Sequence, residues 1–221
     1  MYTPVKMPRN TKYGSNYWKA TSRKIKRRVE FFSDLEYDHW ILVESNPNIV
    51  SFCEQPLRIR HTHKGEIVES VFDMWVLYSD GTEKFIEVKY EWDFDSRNPK
   101  SIKTIRQTGA QEDWCLLNNK PYEIMTDTKI RSNALLLSNL KQIISYTRNR
   151  LVPIELDQFQ ITRLVRNRRL TIGEIQRDLH SLKPQRILES ICNLIYSGHL
   201  DANIEECLIG PSLEVWLHGE T

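Results

Sequence analysis

The chain has 221 residues, of which 40% are hydrophobic and 27% are charged, and its formal net charge is +2. This balance allows a packed core and excludes a disulfide-stapled mini-protein or a largely disordered chain. No apolar run approaches the roughly 18 residues of a membrane span. The basic N-terminus also lacks the apolar stretch of a secretory signal, so we expect a cytoplasmic protein.

Charge is unevenly distributed along the sequence. Residues 1–29 contain nine Lys or Arg and no acid, whereas residues 30–99 contain fifteen acids and six bases. Six arginines then lie between positions 148 and 169. Two basic stretches around an acidic centre indicate a protein that binds a polyanion at its edges. Bound divalent metal would account for the acidic centre.

The N-terminal segment, residues 1–30, is predicted to be a basic arm. Four of its bases are candidate contacts to the phosphates of a nucleic acid: Lys24, Lys26, Arg27 and Arg28. Such a run is also typical of an ordinary solvated segment. The absence of any acid among the first 29 residues favours the phosphate-binding alternative.

An α/β domain is predicted over residues 31–150. Ser33 and Glu36 have the spacing of a capping box, so a helix should begin there and end at Asn46-Pro47. The following patterns predict strands at 49–53, 57–61, 67–78 and 84–90, a helix at 102–117, a strand at 122–125 and a helix at 131–146.

A smaller domain is predicted over residues 151–221, with its boundary near Leu151. Thr171 is the expected cap of its first well-marked helix, and Gly198 is the expected end of the next. The predicted elements are helices at 172–179 and 185–196 and a hairpin of strands at 204–209 and 213–217. This order predicts a winged helix, in which Gln185 and Arg186 are candidate contacts to DNA or to a protein.

The segment Phe85-Ile86-Glu87-Val88-Lys89 carries the clearest chemical signal. On a strand, Glu87 and Lys89 point to one face, while Asp73 lies in an apolar stretch of the strand before. A three-residue loop, Ser79-Asp80-Gly81, would place Asp73 directly opposite Glu87, whereas a two-residue turn would place it opposite Val88. The x-Asp-Gly sequence favours the three-residue loop.

Two carboxylates and a lysine on one patch suit phosphodiester hydrolysis. Carboxylate oxygens bind Mg²⁺, for which Mn²⁺ should substitute, and the metal activates water and neutralises charge on phosphorus. Lys89 would orient the attacking water or hold the phosphate, and Glu36 is a candidate third ligand beside Asp73 and Glu87. The alternative is a solvated strand face, for which alternating Glu and Lys are also typical.

The sequence contains, in this order, Ser33-x-x-Glu36, Glu54-Gln55-Pro56, Asp73 and Glu87-x-Lys89. This order resembles the TnsA family of heteromeric-transposase endonucleases, over roughly residues 24–146. The resemblance implies a restriction-endonuclease-like mixed sheet flanked by helices, followed by a small winged-helix domain. It also implies catalytic roles for Glu36, Asp73, Glu87 and Lys89, although some members carry Gln where this chain has Glu87. Two further positions would support the site: Gln55 and Gln107.

The resemblance further implies partners. A TnsA-like enzyme cleaves double-stranded DNA at the 5′ ends of a transposon, beside a DDE-type transposase and an AAA+ ATPase regulator, and it would associate with the bacterial nucleoid when bound to DNA. Two alternatives stay open at this point. One is a stand-alone restriction-like or junction-resolving nuclease, and the other is a DNA-binding scaffold with an inactive nuclease fold.

Overall fold

The computed structural model describes residues 2–7, 16–149 and 152–219. These fall into two compact units. One comprises the chain up to Glu44 together with Asn48–Ser132, and the other comprises Ser45–Pro47 and the chain from Asn133. The predicted domain boundary near Leu151 lies outside the described residues.

Within the segment predicted to be an arm, residues 18–31 form a β-hairpin. Strand β1 (Trp18–Ser22) pairs antiparallel with β2 (Arg27–Phe31). Ser22 Oγ donates to a carboxylate oxygen of Glu44 at 2.7 Å, and the amide of Arg23 donates to the other oxygen at 2.9 Å. The hairpin is therefore held to the helix that ends near Glu44.

That helix, α1 (Asp34–Ser45), begins where the capping box predicted. Ser33 Oγ accepts from the Glu36 amide at 3.1 Å and donates to Glu36 Oε1 at 3.1 Å. Glu36 Oε2 accepts from the amide of Phe32 at 3.1 Å. The Glu36 carboxylate therefore binds the amide of Phe32, just before the helix, while Ser33 satisfies the Glu36 amide, which the helix cannot bond internally.

The rest of the first unit is a mixed sheet with helices, plus a separate hairpin. Its strands are β3 (Ile49–Glu54), β4 (Arg58–His63), β5 (Glu66–Val71), β6 (Met74–Tyr78), β7 (Glu83–Lys89) and β8 (Tyr122–Thr126). A 3-10 turn at Glu91–Phe94 leads to α2 (Ser101–Leu117), and α3 (Asp127–Ile130) follows β8. The main sheet has the order β3-β6-β7-β8, whereas β4 pairs with β5.

Strand direction makes the main sheet mixed: β7 and β8 run parallel, and its other neighbours run antiparallel. Apolar side chains of the strands and of α2 form a buried cluster: Cys53, Ile59, Phe72, Trp75, Phe85 and Cys115. This α/β arrangement is consistent with the restriction-endonuclease-like fold and confirms the predicted fold class.

The turn between β6 and β7 has the predicted three-residue loop. Met74 lies opposite Ile86, and the amide of Tyr78 donates to the Thr82 carbonyl at 2.8 Å. Gly81 has φ +86°, a conformation that residues with a Cβ rarely adopt. The register of the hairpin is thus set by the glycine that closes it.

We expect Gly81→Ala to lower the free energy of unfolding by about 1 kcal/mol, because alanine is strained at this φ. The added Cβ itself would meet no atom within 4 Å, so the cost is purely conformational. Urea unfolding measures it, with the exposed loop residue Ser79→Ala as the control that should leave stability unchanged. Equal stability of Gly81→Ala and the wild type would contradict the argument.

The second unit consists of helices and a small sheet. Its helices are α4 (Ala134–Asn149), α5 (Glu155–Leu164), α6 (Ile172–Asp178) and α7 (Pro184–Tyr196), and its strands are β9 (Leu170–Thr171), β10 (Leu200–Ala202) and β11 (Glu214–Leu217). The strand order is β10-β11-β9. Thr171 caps α6 as predicted, accepting from the Glu174 amide at 3.2 Å, and Gly198 closes α7 at φ +72°. The winged-helix assignment stays a prediction.

The predicted strand at 204–209 is wrong. The partner of β11 is β10, with Leu200 opposite Leu217, because the chain enters this strand immediately after Gly198. The segment 204–209 instead forms turns that are held by Asn139 of α4. Asn139 Nδ2 donates to the carbonyls of Ile204 and Cys207, at 2.8 and 2.7 Å.

One predicted helix also differs from the structure. The expected helix 131–146 is replaced by the short α3 and by α4, which begins at Ala134.

Arg186, a candidate contact to DNA or protein, is bound inside the unit. Its Nε and Nη2 donate to the fully buried carboxylate of Asp157 at 2.5 and 2.7 Å, which ties α7 to α5.

Among the described residues, no helix combines the length and the apolar character needed to cross a membrane.

Candidate active site

Asp73 lies where the chain passes from one sheet to another. The sequence predicted one long strand over 67–78, but the structure ends β5 at Val71 and begins β6 at Met74. Across the break, the amide of Phe72 donates to the Leu57 carbonyl at 3.2 Å and the amide of Gln55 donates to the Asp73 carbonyl at 3.0 Å. These bonds fix Asp73 at the start of β6.

The side chain of Asp73 is bound to the facing strand β7. Its Oδ2 accepts from the amide of Val88 at 2.8 Å, in the place that a backbone carbonyl would take in a regular ladder. Because Met74 lies opposite Ile86, the next position brings Asp73 beside Glu87. The two carboxyl groups are close enough that, besides burial, the charge of Asp73 raises the pKa of Glu87. The predicted juxtaposition is therefore present.

Glu87 is completely buried and accepts hydrogen bonds on both oxygens. Lys89 Nζ lies 2.5 Å from Oε1, which also accepts from Gln107 Nε2 at 2.7 Å. Gln111 Nε2 donates to Oε2 at 2.8 Å. Gln107, one of the two predicted supporting residues, therefore contacts the site. Gln111 was missed, although its position one helical turn after Gln107 on α2 was a usable signal.

Burial and mutual repulsion raise the pKa values of the acids. Burial and then the charge of Asp73 raise the pKa of Glu87 to about 8 and that of Glu36 to about 7. Burial also raises the pKa of Asp73. Burial alone would lower the pKa of Lys89, but the carboxylates of Glu87, Asp73 and Glu36 raise it. Three acids thus act on one ammonium group, and the site carries excess negative charge when they are ionised.

The donor set fits a magnesium ion bound by two side chains. In the part of the chain that the structure describes, no three His, Cys, Asp or Glu side chains are placed to hold a metal together. The expected three-carboxylate set is not assembled among these residues, and Glu36 instead caps α1 with both of its oxygens. Asp73 and Glu87 remain, and one or two carboxylates completed by water and substrate phosphate are a usual environment for Mg²⁺.

Metal-free protein is expected to lose stability as the pH rises from about 5 to 9 because of these acids. The folded-state pKa values of Glu87 and Glu36, about 8 and 7, exceed their ordinary value of 4.5. The folded chain therefore binds more protons in this window. Proton binding by Glu87 and Glu36 therefore stabilises the folded state fully at pH values below their unfolded-state pKa. This contribution is lost as the pH rises through 7 and 8.

Thermal unfolding in EDTA at several pH values measures this contribution. The Tm difference between Glu87→Gln and the wild type isolates Glu87 from other titrating groups, and it should grow in favour of the variant as the pH rises. Mg²⁺ should narrow the difference at high pH, because only the wild type gains from a cation beside the ionised carboxylate. A difference that does not change with pH would contradict the assignment.

Gln55, the other predicted supporting residue, contacts Asp73 through its backbone. It is 5% exposed and has φ +42°, an unusual conformation for a residue with a Cβ. Among the described residues, its Nε2 has no hydrogen-bond partner. Its contact with the site is the hydrogen bond from its backbone amide to the Asp73 carbonyl.

The four predicted DNA-binding bases lie in and after the turn of the N-terminal hairpin, and they are not equivalent. Lys26 and Arg28 are exposed. Burial lowers the pKa of Lys24 to about 8. Arg27 forms a two-pronged ion pair with the buried carboxylate of Glu54, at 2.5 and 2.6 Å. Its guanidinium is thus engaged within the fold rather than displayed to a partner.

Comparison with known proteins agrees with this geometry. The family model described as "TnsA-like endonuclease N terminal" matches residues 46–127, which include Asp73, Glu87 and Lys89. No curated protein matches the chain. The match covers the strands and the helix that assemble the carboxylate pair, and it supports a nuclease of the transposase type. Over residues 46–127, the chain is similar to the N-terminal domain of TnsA-like endonucleases.

Proposed function

We propose that this chain is the metal-dependent DNA endonuclease subunit of a heteromeric transposase and cleaves phosphodiester bonds at the 5′ ends of the transposon. The observation that carries the proposal is the meeting of Asp73, Glu87 and Lys89 on one hairpin inside a TnsA-like domain. Burying acidic side chains on a hairpin lowers the stability of the fold, so a purely structural hairpin gains nothing from them. They suit a site that binds a cation and a phosphate.

In this proposal Asp73 and Glu87 hold Mg²⁺, with Mn²⁺ as a substitute. When bound, the ion would supply charge neutralisation at the phosphate and a lowered pKa for the attacking water. Lys89 remains protonated, since its carboxylate neighbours raise its pKa. Its ammonium group orients the water or contacts the scissile phosphate. Glu36 acts from the capped end of α1 by its charge on Asp73 and Lys89.

The proposed partners are the double-stranded DNA of the transposon ends, a DDE-type transposase and an AAA+ ATPase regulator. The family match supports a role in a transposase complex. The arrangement of α5, α6 and α7 with the sheet β10-β11-β9 supports a winged helix in the second unit. We place the enzyme in the cytoplasm, on the nucleoid when it is bound to DNA.

Nicking of transposon-end DNA tests the proposal. The substrate is labelled at each 5′ end, and the reaction is run with Mg²⁺ or EDTA, with and without the transposase encoded beside this chain. We expect Mg²⁺-dependent cleavage at the 5′ ends that requires the transposase. Efficient cleavage without the transposase would instead establish a stand-alone nuclease. DNA binding without cleavage under every condition would indicate a scaffold with an inactive nuclease fold.

A further inference from the structure

More polar side chains surround the Glu87 carboxylate than the proposed chemistry requires. Gln111 is fully buried, and its Nε2 donates to Glu87 Oε2 at 2.8 Å and to Ser70 Oγ at 3.0 Å. Gln107 Nε2 donates to Glu87 Oε1 at 2.7 Å and to the same serine at 3.1 Å. The side-chain amides of Gln107 and Gln111, both on α2, thus each donate to one oxygen of the Glu87 carboxylate.

The orientation of the Gln111 amide is fixed at both of its ends. Its Oε1 accepts from the hydroxyl of Tyr122 at 2.8 Å. Tyr122 begins β8, which runs parallel to β7, so the hydroxyl reaches α2 from the strand beside Glu87. A flipped amide would turn its oxygen toward the carboxylate of Glu87, which is repulsive. Tyr122 and Glu87 therefore both select the orientation in which Gln111 donates to Glu87.

We propose that Gln111, held by Tyr122, is a positioning residue that presents the carboxylate of Glu87 to the divalent cation. The inference rests on the proposed function, since it concerns the same site. A glutamate side chain rotates about three bonds, and restricting it to one orientation in advance removes an entropic cost from cation binding. Glu87 Oε2 accepts from Gln111, and the second lone pair of this oxygen is available to the ion.

Positioning residues of this kind have measurable effects. Loss of a hydrogen-bonding group behind a metal ligand typically weakens metal affinity or activity by about 10- to 100-fold. We therefore expect Gln111→Met, which keeps the length but removes the donor, to weaken Mn²⁺ binding by about 10-fold or more. Tyr122→Phe removes only the hydroxyl and should weaken binding by about 3- to 10-fold, as a partial form of the same loss.

The experiment is calorimetric titration of the full chain with Mn²⁺ in the absence of DNA, so its readout is independent of cleavage. The matched control is Thr108→Val, on the same helix and also buried. Its hydroxyl donates to the backbone carbonyl of Thr104 at 3.1 Å and does not contact Glu87. This control should bind Mn²⁺ with wild-type affinity. Tyr122→Phe keeps the inference testable if Gln111→Met fails to fold.

A second readout separates positioning from general loss of structure. In the nicking reaction, Tyr122→Phe should raise the Mg²⁺ concentration for half-maximal rate by about 3- to 10-fold, with the rate at saturating Mg²⁺ within about twofold of wild type. Wild-type Mn²⁺ affinity in folded Gln111→Met and Tyr122→Phe would overturn the inference, as would a wild type that does not bind Mn²⁺. Mn²⁺ binding that weakens as expected, in a chain that does not cut transposon ends, would uphold it and refute the proposed function.

Discussion

Lys89→Ala is expected to reduce the rate of DNA cleavage by about 100- to 1,000-fold, the usual cost of removing a charged donor from a reacting centre. Lys89 Nζ lies 2.5 Å from Glu87 Oε1, and its side chain is 18% exposed. It therefore lies at the boundary between the buried acids and the solvent from which a phosphate would arrive. Single-turnover nicking of transposon-end DNA at saturating Mg²⁺ measures the effect.

The control for this variant is on the same strand. Lys84 Nζ contacts Glu123 Oε2 at 2.8 Å instead of Asp73 or Glu87. Lys84→Ala therefore removes the same charge from β7 as Lys89→Ala. Its cleavage rate should stay within about twofold of the wild type, because its partner takes no part in the proposed chemistry. If Lys89→Ala cuts as fast as Lys84→Ala, the centre described around Asp73 and Glu87 is not the working one.

Asp73→Asn is expected to abolish both cation binding and cleavage while making the metal-free protein more stable at alkaline pH. Asparagine has the same shape, and its oxygen can still accept from the amide of Val88. The substitution removes a buried negative charge that repels Glu87 and Glu36, and whose own pKa is raised by burial. We expect a gain of about 1–3 kcal/mol near pH 8.5.

Calorimetry with Mn²⁺ and urea unfolding in EDTA measure the two halves of this prediction. Asp80→Asn, in the turn of the same hairpin, is the matched control. Asp80 is exposed and bonds to Thr82, so its replacement should leave cation binding intact and should not stabilise the fold. A destabilised Asp73→Asn would show that the charge of the acid contributes to the fold, contrary to the role assigned here.

The hairpin of β6 and β7 could be predicted because its determinants are local. The x-Asp-Gly turn fixes the loop length, loop length fixes the register, and the register sets which side chains meet. The capping box of α1 and the glycine after α7 were predictable for the same reason. In each case, residues within a few positions of one another decide the conformation.

Other features could not be predicted because residues far apart in the sequence decide them. The break between β5 and β6 lies in a continuous apolar pattern and depends on hydrogen bonds from Phe72 to Leu57 and from Gln55 to Asp73. The engagement of Arg27 and Arg186 depends on Glu54 and Asp157, which are 27 and 29 positions away. A basic residue in a sequence does not reveal whether a buried acid will bind it.

The candidate site was predicted in part for the same reason. Asp73, Glu87 and Lys89 could be identified from the periodicity of two adjacent strands and the turn between them. Glu36 was expected as a metal ligand, yet its oxygens cap its own helix. Gln111 contacts Glu87 only because α2 packs behind β7, which is a property of the assembled fold.

The turn between β6 and β7 imposes a length constraint on the chain. Gly81 is six residues from Glu87, which corresponds to about 20 Å along a strand. Adding or deleting one residue in this turn would exchange the faces of β7, so that Val88 would occupy the place of Glu87. Relatives that keep the chemistry should therefore vary this turn only in steps that preserve strand parity, however exposed and distant from the reacting atoms it is.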